Sequence, residues 1–179
     1  PSRVDIADYH NLKTRIEQQV SEINGGLVRP GGWVPVWYVY GHLTRNDLLA
    51  YYRAADIALI TPIKDGMNLV AKEYCACSIE DERALILSEF AGAAAQLQRG
   101  ALLVNPHDIE GVADTIYRAF TMTDDEQRAR MRRMRRSIRK HDIFWWVDSF
   151  LRAAIAKDLS AFPMLEDHVT DAMADYVPI

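Results

Sequence analysis

Apolar positions recur along this chain with two periods. Between residues 6 and 24, Leu12, Ile16, Val20 and Ile23 fall three or four apart, which predicts a helix stopped by Gly25-Gly26. Residues 27–33 read as loop. Residues 34–40 (VPVWYVY) are β-branched and aromatic and predict a strand. Thr44, with Asp47 three positions on, has the form of a capping box with Asp in the usual Glu position, and predicts a helix to about Ala55. Continuous apolar runs at 57–61, 84–88 and 101–104 predict three more strands. Between and after them, helical patterns cover 68–78, Phe90 to about Gln98, and Ile109 to Phe120. Continuous apolar strands alternating with helices predict a parallel sheet covered on both faces, half of a doubly wound α/β architecture. Ligands in such sheets sit beyond the carboxyl ends of the strands, where the loops at 62–67 and 88–92 fall.

From Thr123 the pattern is helical only. The run TDDEQRARMRRMRRSIRK begins acidic and ends basic, as a helix dipole favours, and His141-Asp142 interrupts it. Residues 143–155 form an amphipathic segment rich in aromatics. The predicted organisation is one domain over 1–157, its final helices at about 123–155. A tail follows at 158–179, with one short helix near 167–175.

Composition narrows the function classes. The length of 179 residues suits a domain with a substantial core, and the net charge of -4 gives no general attraction to nucleic acid or an anionic membrane. No apolar stretch approaches the roughly 20 residues of a membrane span, and the N-terminus has no signal pattern, so a cytoplasmic location is expected. The chain begins Pro-Ser-Arg without Met, as a fragment or a processed chain would. Cys75 and Cys77, if helical, point about 200° apart and cannot bridge. No further cysteines complete a metal site, and the histidines (10, 42, 107, 141, 168) lack metal spacing, so no metal is expected.

The densest chemistry lies in IALITPIKDGMNLVAKEYC at 57–75. A strand meets Pro62, then a loop with Lys64, Asp65 and Gly66, then a helix. The first amides of a helix have no partner and carry partial positive charge, so such a junction suits a phosphate. Asp65 and Glu73 bracket it, eight positions and about two helical turns apart. The plain alternative is an ordinary turn whose Asp65 caps the helix.

DGMNLVAKEY, preceded by a strand ending in Thr-Pro, resembles the donor-site signature of the trehalose-6-phosphate synthase and glucosylglycerol-phosphate synthase family, retaining glucosyltransferases of the GT-B fold. Further blocks match in order: Pro1-Ser2-Arg3 with Asp5, Tyr9 and Leu12; Glu22-Ile23-Asn24-Gly25; LILSEFAGAAAQL at 85–97; ALLVNPHD at 101–108; and DIFWWVDSFL at 142–151. They span roughly residues 1–155, the C-terminal, donor-binding half of such an enzyme. The resemblance implies that Asp65 hydrogen-bonds the donor glucose and that the amides of Gly66, Met67, Asn68 and Leu69 hold sugar and diphosphate. It further implies that Glu73 accepts from the ribose hydroxyls and Arg3 reaches the acceptor phosphate. Leu48, with nearby Leu43, is assigned the apolar surface against the base, a role core packing explains equally well. Lys64 is a weaker candidate for phosphate. Small residues in Ser88-Glu89-Phe90-Ala91-Gly92 suit a tight approach of helix to sheet.

No cofactor is implied; a nucleotide-glucose, UDP- or ADP-linked, is a substrate. The expected partners are that donor, a sugar- or polyol-phosphate acceptor and an N-terminal GT-B domain. Self-association is left open. The acceptor expected first is glucose 6-phosphate and the second glycerol 3-phosphate, toward which CACS, GAAAQL and FWWVDSFL incline. The family's diphosphate clamp and acceptor pocket precede the segment matching Pro1, so the chain alone is expected to bind nucleotide without turning over. The resemblance also lets the last helix cross back to that domain, which would leave an open aromatic face here. A non-catalytic binding module is the reading from a different class. Eight Lys or Arg among the thirteen residues 128–140 surround Met131, Met134 and Ile138, which fits a solvated helix face better than nucleic acid.

Overall fold

The computed structural model describes residues 7–29 and 31–156. The chain divides into two compact units, Pro1–Asp47 and Leu48–Ile179. The first holds α1 (Ala7–Leu27), which continues through Gly25 and Gly26 rather than stopping there. Neither glycine takes a positive φ, and the Val28 amide still donates to Asn24 O at 2.9 Å. A glycine ends a helix only by adopting the left-handed conformation; inside the last turn it merely weakens it. The chain turns instead at Gly31, φ 76°, with the Gly32 amide donating to Arg29 O.

The strand expected at 34–40 does not form. Strand propensity describes fit to a neighbouring strand, and this segment has none in the ladder. The Asn24 side chain takes both main-chain groups of Val36 instead, each at 2.9 Å. Trp33 and Trp37 stay about three-quarters exposed, at 77% and 76%. The capping at Thr44 is real. Its Oγ1 receives the Asp47 amide at 3.2 Å and its hydroxyl donates to Asp47 Oδ2 at 2.6 Å, opening α2 (Arg45–Ala54).

In the second unit β1 (Ile57–Ile60), β2 (Ala84–Ser88) and β3 (Leu102–Val104) form a parallel sheet in that order. Ile57 pairs with Ala84, and Ile86 with Leu102. β2, paired on both sides, is buried at every position. Its side chains alternate between two clusters, as a strand's must. Leu85 and Leu87 join Ala71, Tyr74 and Cys75 of α3 (Leu69–Cys77), Leu97 of α4 (Ala94–Leu97) and Met131 and Met134 of α6 (Asp124–Lys140). Ala84 and Ile86 join Leu102, Val104 and, from α5 (Ile109–Thr121), Ala119. Helices therefore cover both faces. The fold is α/β with a Rossmann-like parallel sheet.

The helix expected from Phe90 is shorter, beginning only at Ala94, because residues 89–93 turn to meet another loop. Both cysteines are free. Cys75 is buried, and burial pushes its thiol up to about 12. Most bases of α6 are exposed, Arg130 and Arg135 are partly covered, and several are paired: Arg130 with Glu126, and Arg132 and Arg135 with Asp81. α7 (Ile143–Ala156) presents an open apolar face with Phe144, Phe150, Leu151 and Ile155 exposed. Among the described residues no helix is long and apolar enough to cross a membrane.

Candidate donor-binding site

Because the three strands are parallel, their three strand-to-helix loops lie along one edge of the sheet. The loop after β1 is organised by two side chains. Asp65 Oδ1 accepts the amides of Met67 at 3.1 Å and Asn68 at 3.0 Å, and its Oδ2 accepts Asn68 Nδ2 at 2.9 Å. Asn68 is the N-cap of α3. It sits in the left-handed region (φ 59°, ψ 78°), which Asn tolerates better than most residues, and its Oδ1 accepts the Ala71 amide at 3.0 Å. The Met67 amide, the Asn68 side chain and the Asn68 amide together hold the Asp65 carboxyl below its ordinary range. Asp65 is thus ionised and fixed in direction before any ligand arrives.

The loop after β2 is tied to the first. The Gly92 amide donates to Asp65 O at 2.8 Å and the Asp65 amide to Phe90 O at 3.4 Å, so Asp65 and Ala91 pair as an isolated parallel bridge. Backbone lies against backbone here. A Cβ on Gly92 would stand 2.1 Å from Gly66 O. The small residues of this block therefore serve a loop-to-loop approach, where the sequence suggested helix against sheet.

Of the four amides expected to face a ligand, those of Met67 and Asn68 are already taken by Asp65. Those of Gly66 and Leu69 have no acceptor among the described residues. Gly66, Met67 and Leu69 are exposed and Asn68 is buried. Glu73 stands one turn beyond Leu69 on α3, exposed, with Oε2 accepting the Tyr52 hydroxyl at 3.0 Å. Leu48 is half-buried one turn before Tyr52 on α2, so both occupy one side of that helix. Lys64 is exposed and forms no ion pair among the described residues. Arg3 lies outside the described residues. Among them, no group of three or more His, Cys, Asp or Glu side chains is placed to hold a metal.

Chemically, this is a helix start with two open amides, one carboxylate in the loop before it and another one turn into the helix. Residues 1–156 match glycosyltransferase family 20. The chain belongs to that family. The curated relatives include trehalose-6-phosphate synthases from Mycobacterium marinum and Mycobacterium leprae, each 50% identical over 153 residues, which are 86% of this chain and 30% of the relative. Among solved structures, a Burkholderia xenovorans α,α-trehalose-phosphate synthase (UDP-forming) in complex with glucose-6-phosphate is 39% identical with a TM-score of 0.80. That match covers 85% of this chain and 34% of that one. A trehalose-6-phosphate protein from E. coli bound with UDP-2-fluoro glucose is 40% identical with a TM-score of 0.79, covering 84% and 33%. This family-20 chain thus spans about a third of the length of the relatives it matches. The neighbours share its parallel sheet with flanking helices, the arrangement of the GT-B fold.

Tyr52 is the residue at the site that the sequence did not indicate. A tyrosine in an amphipathic helix reads as core, and only the packing of α2 against α3 brings its hydroxyl to Glu73.

Proposed function

We propose that residues 1–157 are the donor-binding domain of a retaining glucosyltransferase. It moves glucose from a nucleotide-glucose to glucose 6-phosphate, forming trehalose 6-phosphate. The observation that carries this reading is the start of α3. The Gly66 and Leu69 amides are open, Asp65 precedes them in the loop, and Glu73 follows one turn into the helix. The diphosphate sits at the helix end, where open amides and the helix dipole favour negative charge. Asp65, aligned by its three donors, accepts from glucose hydroxyls. Glu73 accepts from the ribose diol, and Leu48 lies against the base.

Transfer breaks the bond from the sugar C1 to the diphosphate oxygen and forms one from C1 to the acceptor oxygen. The acceptor proton passes to the departing diphosphate on the same face. Helix-end stabilisation of that leaving group grows with its charge, so it lowers the barrier rather than merely tightening binding. UDP is the favoured carrier, supported by the UDP-2-fluoro glucose held by the E. coli relative. Glucose 6-phosphate is supported by the Burkholderia xenovorans relative and by the names of the mycobacterial ones. Arg3 is assigned to the acceptor phosphate. The rest of the acceptor pocket belongs to the part of the relatives this chain does not span, and the proposed compartment is the cytoplasm.

A transfer assay with UDP-glucose and either glucose 6-phosphate or glycerol 3-phosphate tests the reading. The full two-domain protein should form trehalose 6-phosphate, and the chain alone should form neither product. Transfer only to glycerol 3-phosphate would replace the acceptor, and turnover by the chain alone would refute the division of labour.

A further inference from the structure

The Tyr52 ring packs against the core cluster, but the direction of its hydroxyl is not something core packing requires. Its ring stands edge-on to Tyr74, centroids 6.5 Å apart at 76°. Tyr74 is buried, and its hydroxyl donates to the carbonyls of Ala55 at 3.2 Å and Asp56 at 3.1 Å, just past the end of α2. The Tyr52 ring is thereby braced, and its hydroxyl is aimed at Glu73 Oε2. Burial, then the bond to Glu73, pushes that hydroxyl up to about 12, so it remains a protonated donor at neutral pH. Glu73 itself is exposed, and its Oε1 has no partner among the described residues. A free glutamate on a helix surface samples many rotamers, and a ligand must order it on binding. Here one oxygen is anchored and the other is left open.

We propose that Tyr52 is a positioning residue that holds the Glu73 carboxylate in the orientation that receives the ribose diol of the nucleotide donor. The inference rests on the donor-site reading above. Tyr52 touches no ligand in it; it acts through Glu73. Its position one turn after Leu48 gives α2 two tasks on one side, apolar contact from Leu48 and alignment of the carboxylate from Tyr52.

The test is calorimetric titration with UDP and with 2′,3′-dideoxy-UDP, which lacks the diol. It uses the full-length wild-type protein, Tyr52→Phe, Glu73→Gln and the double variant. Tyr52→Phe keeps the ring and its packing on Tyr74. UDP binding should weaken roughly three- to tenfold in Tyr52→Phe, the scale of one typical net hydrogen bond. Dideoxy-UDP binding should not change, and Tyr52→Phe should cost nothing further in the Glu73→Gln background. Equal weakening for both nucleotides, additive losses, or no loss would overturn the role of Tyr52 while leaving the donor site standing. A wild-type protein that binds both nucleotides equally, or neither, would overturn the ribose contact itself and the inference with it.

Discussion

The junction from β1 to α3 and the junction from β3 to α5 lie at carboxyl ends of parallel strands, and each ends in an Asn or Asp N-cap. At the second, Asp108 Oδ1 accepts the Gly111 amide at 3.0 Å and Asn105 Oδ1 accepts the His107 amide at 2.9 Å. The carboxylate sits on the helix end and opposes any incoming anion. At the first, the cap is the neutral Asn68. The Asp65 carboxylate, three residues earlier, accepts the Met67 and Asn68 amides, and the Gly66 and Leu69 amides, like those of Ile109 and Glu110 at the second junction, have no acceptor among the described residues. Strand, loop and capped helix are common to both. What differs is the cap itself, neutral Asn68 against charged Asp108, and the backbone bridge that ties the Asp65 loop to the loop after β2. A strand–loop–helix pattern is therefore weak evidence for a phosphate site until the cap has been identified.

The largest effect should come from the brace. Gly92→Ala forces a Cβ into the Gly66 carbonyl, which is backbone and cannot rotate aside. It should cost about 3 kcal/mol in denaturant unfolding and disrupt donor binding. Gly66→Ala meets nothing within 4 Å, so it should change stability by no more than about 0.5 kcal/mol. Equal costs at the two glycines would remove the brace from the account.

Next in size are the two acids. Asp65→Ala leaves the Met67 and Asn68 amides and the Asn68 side chain without their acceptor, and should cost about 1–2 kcal/mol. Asp108→Ala removes an N-cap, worth about 1 kcal/mol. Stability alone hardly separates them. Titration with UDP-glucose should, falling at least tenfold in Asp65→Ala and staying unchanged in Asp108→Ala.

Acid provides a smaller contrast. The folded Asp65 carboxyl is held below its ordinary value near 3.8, so the unfolded chain takes up the proton more readily. The stability contributed by Asp65 is therefore complete above that value and is lost as pH falls through the lower folded one. The melting-temperature gap between wild type and Asp65→Ala should be constant from pH 7 to 5 and narrow below 3.8. A gap that narrowed above pH 5 would contradict the shift. The smallest effect is expected from Asp108→Asn. It keeps a capping oxygen, should move stability by no more than about 0.5 kcal/mol, and should not create a nucleotide site.

What the sequence made legible was local. Period and composition located β1, β2 and β3 to within a residue or two, and the cap at Thr44 opens the helix it was expected to open. The Asp65–Glu73 spacing was also legible, because both acids hang on one short loop and one helix. The plain alternative, Asp65 as a helix cap, was half right: Asp65 secures the loop while Asn68 caps α3. Features that depend on contact between distant segments could not be read. Gly92 against Gly66 and Tyr52 on Glu73 each join residues more than twenty positions apart. The aromatic segment 34–40 misled for the same reason. Its composition suits a strand, but a strand exists only beside a partner, and the Asn24 side chain holds Val36 instead.

The most direct measurement is calorimetric titration of UDP and UDP-glucose into the full-length protein and into its Glu73→Ala and Asp108→Ala variants. Wild type and Asp108→Ala should bind alike, Glu73→Ala should bind about tenfold more weakly, and UDP-glucose should lose as much as UDP. Equal affinity in all three proteins, or a loss confined to Asp108→Ala, would contradict the assignment of the β1–α3 junction as the nucleotide site.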